Sequence, residues 1–362
     1  MPDTDSAPPA AVPQKQLLVR ISPQLRSLAK AIIEKMGATL VKPVGADYYL
    51  CKCSKPAELR RTPAVAFTRW ILPLDHTWPC KPAQTDYFIE KAAQTLADKF
   101  RGAKTPQAIW VGALSSSNPD DYFRKLASNL RGRMLQIFPK LAVSDVQAQK
   151  PDKETLFCMV GKEGLFSGLA KPASTFGLYP GGVKFISHDS EDVISRAAAK
   201  IGEALHCLTL YRPLPPAEAR WLELGAAPGG MTSELLKHGY HVTAVDSGLM
   251  DQRIRGHKNL TFVRTRVGSF EHDSPRRFHA LLCDMNGEPL AALAEVIRLA
   301  DTLMSKGLII FTLKLPRIEN LDEPLALLAT VQGHILRAGL HLIAARHLPS
   351  NRNELTLFIE KK

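Results

Sequence analysis

Residues 219–246, ARWLELGAAPGGMTSELLKHGYHVTAVD, carry the first side chains whose order suggests chemistry. Trp221 to Gly225 reads as a short apolar strand that breaks into Ala226, Ala227, Pro228, Gly229 and Gly230. A helix is expected from about Met231 to His238, and a second strand from His241 to Val245 that closes on Asp246. Strand, glycine turn, helix, strand and acid make the first half of a doubly wound nucleotide-binding fold. Glycines let backbone approach a ligand where a Cβ would collide. An acid ending the next strand can accept hydrogen bonds from two ribose hydroxyls. The turn is not GxGxxG and lacks the lysine of a phosphate loop, so it suits a nucleoside ligand without pyrophosphate. That points to S-adenosylmethionine (AdoMet), with Gly229 and Gly230 lining its methionine end.

Three charged residues fall at other strand ends. Leu260 to Val263 is expected as the third strand and His279 to Cys283 as the fourth, followed by Asp284. Gly307 to Leu313 is a continuous apolar strand that runs into Lys314. Leu340 to Leu348 and Glu354 to Glu360 form a final pair. Helices are expected over Pro289 to Met304 and Leu321 to Ala338. Apolar strands alternating with amphipathic helices predict a mostly parallel sheet covered on both faces, with ligands beyond the strands' carboxyl ends. The last strand must run antiparallel to bring Glu354 to that edge. One lysine after a buried strand is commonly a snorkelling surface residue. Acid, lysine and acid converging at three strand ends are harder to dismiss. Upstream, SRAAAKIGEA opens a helix after an acidic run, with Asp189 or Ser190 as N-cap. Arg196, Lys200 and Glu203 share one of its faces, which by itself reads as an ion-laced surface.

The 362 residues allow two or three domains, and 45% hydrophobic with 23% charged residues is the balance of ordinary soluble protein. No apolar run is long enough to span a bilayer, so no membrane partner is expected. The amino terminus lacks the basic flank and apolar core of a signal peptide. A net charge of +12 has a bland reading, a cationic surface, and a sharper one, a nucleic-acid partner. Six scattered cysteines, Cys51, Cys53, Cys80, Cys158, Cys207 and Cys283, offer no second close pair for a zinc set. They read as free thiols in a reducing, cytoplasmic compartment. Residues 1–15 are expected as a disordered tail, and 16–100 as a small ferredoxin-like α+β unit. Residues 101–185 hold a basic helix from Pro119 to Phe138 and a hairpin, TLFCMVGKEGLFSGLA. Residues 186–362 form the Rossmann-like nucleotide-binding domain.

Taken together, SRAAAK, GAAPGG, CDM, LKLP and RNE resemble the motifs of the FtsJ/RrmJ-type RNA ribose 2′-O-methyltransferases. The likeness is nearest to the M-type large-subunit enzymes (RlmM) and is close from roughly Ser195 onward. The resemblance implies a Lys-Asp-Lys-Glu tetrad at Lys200, Asp284, Lys314 and Glu354. It implies AdoMet contacts at Ser195, Gly225, Ala227, Pro228, Gly229, Gly230, Asp246, Val267 and Asp284. It further implies an RNA-binding THUMP region over 101–185 and a cytidine ribose of 23S ribosomal RNA as acceptor, with no obligatory protein partner. Two positions depart from the pattern. Ala227 replaces a cysteine often found before Pro-Gly-Gly, and Val267 stands where the family has an acid near adenine, leaving backbone groups, Glu271 or Asp273 for that contact.

A ribose hydroxyl is a poor nucleophile, so alignment and a base supply the acceleration. Lys314 is the candidate base. A free lysine titrates near about 10.4, and burial with the ammonium of Lys200 nearby is expected to lower that. Asp284 orients the amine, and Glu354 holds Lys200 or the substrate. Methyl transfer has no phosphoryl charge to neutralise, so no metal is expected. Three alternatives stand beside this reading. A base-nitrogen methyltransferase would more often present Asn/Asp-Pro-Pro-Tyr where this chain has Asp284-Met285-Asn286. A catalytically silent RNA-binding module is opposed by the complete tetrad, and a nicotinamide oxidoreductase by the missing GxGxxG.

Overall fold

The computed structural model describes residues 14–101, 105–114, 121–138, 149–182, 194–272, 277–316 and 318–362. Residues 1–13, Asp189, Ser190 and Asp273 lie outside them. The first unit runs β1 (Lys15–Ile21), α1 (Ala29–Lys35), β2 (Thr39–Val44), β3 (Tyr48–Cys53), the short α2 (Pro56–Leu59) and β4 (Thr68–Pro73). Its sheet has the order β2-β3-β1-β4, with every neighbouring pair antiparallel. That is the order of a split β-α-β unit.

A second sheet, β5-β8-β7-β6, is built from β5 (His76–Trp78), β6 (Ala108–Ala113), β7 (Thr155–Gly161) and β8 (Gly164–Ala170). Helices α3 (Phe88–Phe100) and α4 (Asp121–Ile137) cover it, and α5 (Pro172–Thr175) follows. The boundary expected at residue 100 differs here. β5 pairs with β8, and α3 packs on α4 and β7, so residues 76–100 belong to the second sheet. Period-two side-chain alternation explains how the two sheets join. Leu17, Val19 and Ile21 of β1 face α1, whereas Leu18 faces the other sheet. In β7, Leu156, Cys158 and Val160 face α3 and α4, and Phe157 and Met159 meet Leu18, Trp70 and Leu72. Both sheets thus close on one apolar layer. The cationic face expected on α4 is partly spent internally: Arg131 lies over the Trp110 ring and Arg133 pairs with Glu90 at 2.7 Å.

The third unit opens with α6 (Ala197–Leu208), then β9 (Arg220–Leu224), α7 (Gly230–Lys237), β10 (His241–Asp246), α8 (Gln252–Arg255), β11 (Leu260–Arg264) and β12 (Phe278–Cys283). It continues with α9 (Pro289–Leu299), β13 (Leu303–Lys314), α10 (Asp322–Arg337), β14 (Leu340–Arg346) and β15 (Glu354–Lys361). The seven-stranded sheet has the order β11-β10-β9-β12-β13-β15-β14, and only β15 runs against its neighbours. α9 and α10 cover one face, and α6 and α7 cover the other. No described helix is long and apolar enough to cross a membrane.

The first unit is fused to this sheet. Leu17, Ile32 and Phe67 share a continuous core with Phe311, Leu328 and Leu357. Buried Arg346 donates to the carbonyls of Val65 (3.2 Å) and Thr68 (2.8 Å), and its guanidinium lies 4.0 Å from the Phe176 ring centre. Removing that donor takes a charged hydrogen bond from each carbonyl, although Val65 keeps the Thr68 hydroxyl at 2.8 Å. Arg346→Met should therefore lower the unfolding free energy by about 3 kcal/mol, since hydrogen bonds to charged groups contribute about 1.5–3 kcal/mol each. Urea denaturation checks this; an unmoved midpoint would show that the tie contributes nothing.

Candidate active site

β9 carries the chain to Leu224, and Gly225 leaves it with φ +76°, its N–H donating to the Val245 carbonyl at 3.0 Å. The Ala227–Pro228 peptide is cis, and Gly229 sits at φ +108° as the residue before α7. Asp246 ends β10 as expected, with its carboxylate turned towards this bend. It accepts from the Ala227 N–H (3.0 Å) and the Gly248 N–H (2.7 Å). A carboxylate has about four lone-pair sites, so acceptor capacity remains for a ligand's hydroxyls. A Cβ on Gly230 would sit 1.9 Å from the Ser195 hydroxyl, and one on Gly229 2.5 Å from the Met250 sulfur. The expected cost of bulk at Gly230 thus falls first on Ser195, which packs against the turn, before any ligand is met. The donor set and tight turn fit a nucleoside ligand.

Behind the turn lies Glu223, whose position in the strand gave no warning of its state. Its side chain is buried on the α7 face and accepts from the Thr232 hydroxyl at 2.7 Å. Burial pushes its carboxyl up to about 8, with Asp284 and Asp246 adding to the effect against the Thr232 hydrogen bond. Val267 lies in a single 3-10 turn after β11, half-buried. Its carbonyl accepts from Arg298 (2.9 Å) and from the Phe270 N–H (3.0 Å). Glu271 is exposed.

The four residues of the expected tetrad meet in a closed ring. β13 and β15 pair in a register that sets Lys314 opposite Glu354, and the ammonium donates to the carboxylate at 2.9 Å. Lys314 also donates to Asp284 at 2.6 Å. Lys200, from α6, reaches Glu354 at 2.6 Å and Asp284 at 3.5 Å. Each cation touches both anions. Glu354 is buried and the other three are half-buried.

The expectation that Lys200 and burial would together depress Lys314 is overturned. Burial does lower its pKa, but Asp284 and Glu354 outweigh that and hold it above the usual lysine value of 10.5. For Glu354, burial pushes upward, and hydrogen bonds from Lys200 and Lys314 bring it below the ordinary carboxylate range.

A second correction concerns α6. Its face with Lys200 and Glu203 is no ion-laced surface, because Glu203 is fully buried. The carboxylate accepts from the Ser350 N–H (2.8 Å) and hydroxyl (2.9 Å), fixing the loop that leads to Glu354. Asn351 finishes that loop, accepting from the Leu348 N–H at 2.7 Å and donating to Glu354 at 3.3 Å. Only the three-residue step from Lys200 to Glu203 hinted that one helix holds the ring at two points.

The glycine turn and the charged ring both lie at the carboxyl edge of the parallel strands of the seven-stranded sheet. Residues 193–318 match the model of the FtsJ-like methyltransferase family. Among curated proteins, it is 30% identical over 177 residues to "Ribosomal RNA large subunit methyltransferase M" of Aliivibrio fischeri, covering 47% of this chain and 48% of that one. It is 28% identical over 251 residues to the protein of that name from Pectobacterium atrosepticum, covering 66% and 64%. The chain therefore spans about half to just under two thirds of the length of these relatives.

The Glu354 shift gives a signed prediction. A depressed carboxyl pKa stabilises the fold above the unfolded value, near 4.5, and that contribution is lost as pH falls through the folded value. Glu354→Gln should cost on the order of 3 kcal/mol at neutral pH, where it leaves two ammonium groups short of a partner. The gap to wild type should narrow and then close as pH falls below the usual carboxylate value of 4.5. Thermal melting from pH 3 to 8 tests this, and a gap independent of pH would contradict it.

Proposed function

We propose that the chain methylates a ribose 2′-hydroxyl of RNA with AdoMet, and that the acceptor is a cytidine of 23S ribosomal RNA. The observation that carries this reading is the closed Lys200-Asp284-Lys314-Glu354 ring at the edge where the glycine turn lies. Similarity to the large-subunit ribosomal RNA methyltransferases supports the substrate. The turn from Gly225 to Gly230, with Ser195 and Asp246, would hold AdoMet, which when bound supplies an electrophilic methyl group on a sulfonium. The two sheets before the domain, with their basic helix α4, are assigned to RNA binding in the manner of a THUMP region. Their role is better tested by substitution than by truncation at residue 186, because that cut would strip the core shared by Phe67, Phe311 and Leu328.

The ring's lysines and carboxylates can do two jobs. Asp284 and Glu354 fix the Lys314 ammonium in direction, so a ribose hydroxyl placed against it is oriented for attack. As base, Lys314 must first give up a proton, and its raised pKa makes the free amine a minor form at neutral pH. Turnover limited by that amine climbs about tenfold per pH unit and is still climbing at 10.5. Lys200 shares both carboxylates, so its removal leaves Lys314 to neutralise them alone and should move the rise to higher pH.

Incubation of an unmodified 23S transcript with methyl-labelled AdoMet tests the reaction. A 2′-O-methyl blocks attack on the adjacent phosphodiester, so label should survive alkali in a dinucleotide carrying cytidine. Label in mononucleotides would mean base methylation and would sink the assignment. Lys314→Met should fold, keep AdoMet affinity, and lose about a hundredfold or more in single-turnover rate. A wild-type rate flat in pH would instead make Lys314 a permanent donor to the ribose oxygen.

A further inference from the structure

The tetrad opens on one side into a cavity of about 620 Å³ whose lining is not that of the glycine turn. Lys200 and Glu354 of the tetrad line it together with Ser195, Arg196 and Arg352, and Gln24 of the first unit lines it as well. No residue from Gly225 to Gly230, and not Asp246, lines it. The volume suits one nucleotide unit, since sites for small ligands run from about 300 to 1,000 Å³.

Its charge is lopsided. Arg196, Lys200 and Arg352 face a single carboxylate, Glu354, which both ring lysines already engage. The Arg196 and Arg352 side chains are exposed, and among the described residues neither guanidinium has a carboxylate within 4 Å. The loop that carries Arg352 is nevertheless tied down at several points. Glu203 holds Ser350, Arg69 of the first unit donates to the Pro349 carbonyl at 3.2 Å and the Ser22 hydroxyl at 3.1 Å, and buried His347 bonds the Arg352 carbonyl at 3.0 Å. Arg352 thus projects from a loop fixed by the methyltransferase sheet and the first unit together.

We propose that this cavity is the acceptor-strand subsite, in which Arg196 and Arg352 hold RNA phosphodiesters flanking the target ribose, beside Gln24 of the first unit. The inference rests on the reading of the chain as an RNA methyltransferase and deepens it. Two guanidiniums lining one cavity hold the backbone as it runs past Lys200 and Glu354, and the target ribose lies beyond that pair, next to Lys314. Phosphate contacts of this kind position the strand without reading its sequence.

Binding of an unmodified 23S transcript is measured against salt for the full-length wild type and for Arg196→Ala, Arg352→Ala and Gln24→Lys, with AdoMet affinity followed by calorimetry. Each arginine variant should weaken RNA binding and flatten the plot of log affinity against log salt by about 0.7 to 1, the value for one lost phosphate contact. Gln24→Lys should tighten binding and steepen the plot by about as much. AdoMet affinity should be unchanged in all three. Arginine variants with wild-type RNA affinity and slope would overturn the subsite, and so would a loss of AdoMet affinity in place of RNA affinity. Because binding is read without turnover, a wild-type protein that shows these slopes yet leaves the transcript unmethylated would sink the proposed reaction and spare the subsite.

Discussion

The arrangement that the rest of the site depends on is a ring of alternating charge, lysine, carboxylate, lysine, carboxylate, closed by contacts of 2.6 to 3.5 Å. Half-buried charges hold such positions only when each is paired, because removing one partner strands the other. Four elements must therefore end at one place: α6, the end of β12, the end of β13 and the start of β15. The antiparallel direction of β15 is what makes this possible. With the β13 register, it turns a separation of forty residues into a directly opposed Lys314–Glu354 pair.

The same ring decides where the proton sits. Two carboxylates around Lys314 stabilise its charged form more than burial destabilises it, so the unliganded chain stores the lysine as an ammonium. An ammonium so held has its direction fixed by the two carboxylates. Lys200 moderates that state by drawing on the same two anions. Glu203 and Asn351 hold the 348–353 loop that carries one of them, which links the ring's geometry to the packing of α6.

The parts of this site that follow local rules were legible in the sequence. Glycine turn, apolar strands and terminal acids appear where 3.6- and two-residue periodicities place them, and β9, α7 and β10 lie within a residue or so of expectation. What was not legible depends on contacts distant in the chain. Glu203 reads as a surface acid because helical spacing says nothing about the loop that will cover it. The 76–100 segment changes sheets because β5 is three residues long, too short for a periodic signal. β13 begins at Leu303 and not Gly307, so its first residues take the place of the helix end expected at Met304, and its register with β12 breaks before Leu308. The sign of the Lys314 shift needed both carboxylates placed at hydrogen-bonding distance, which motif spacing does not supply.

The state of Lys314 can be measured directly in the unliganded protein. Carbon-13 label at lysine Cε, assigned to this residue by comparison with Lys314→Met, reports the ammonium's titration by nuclear magnetic resonance. The ring of charges predicts a midpoint above 10.5, moved higher still in Lys200→Met. A midpoint well below 10.5 in the wild type, rising only when Lys200 is removed, would contradict it by making repulsion from Lys200 the dominant influence.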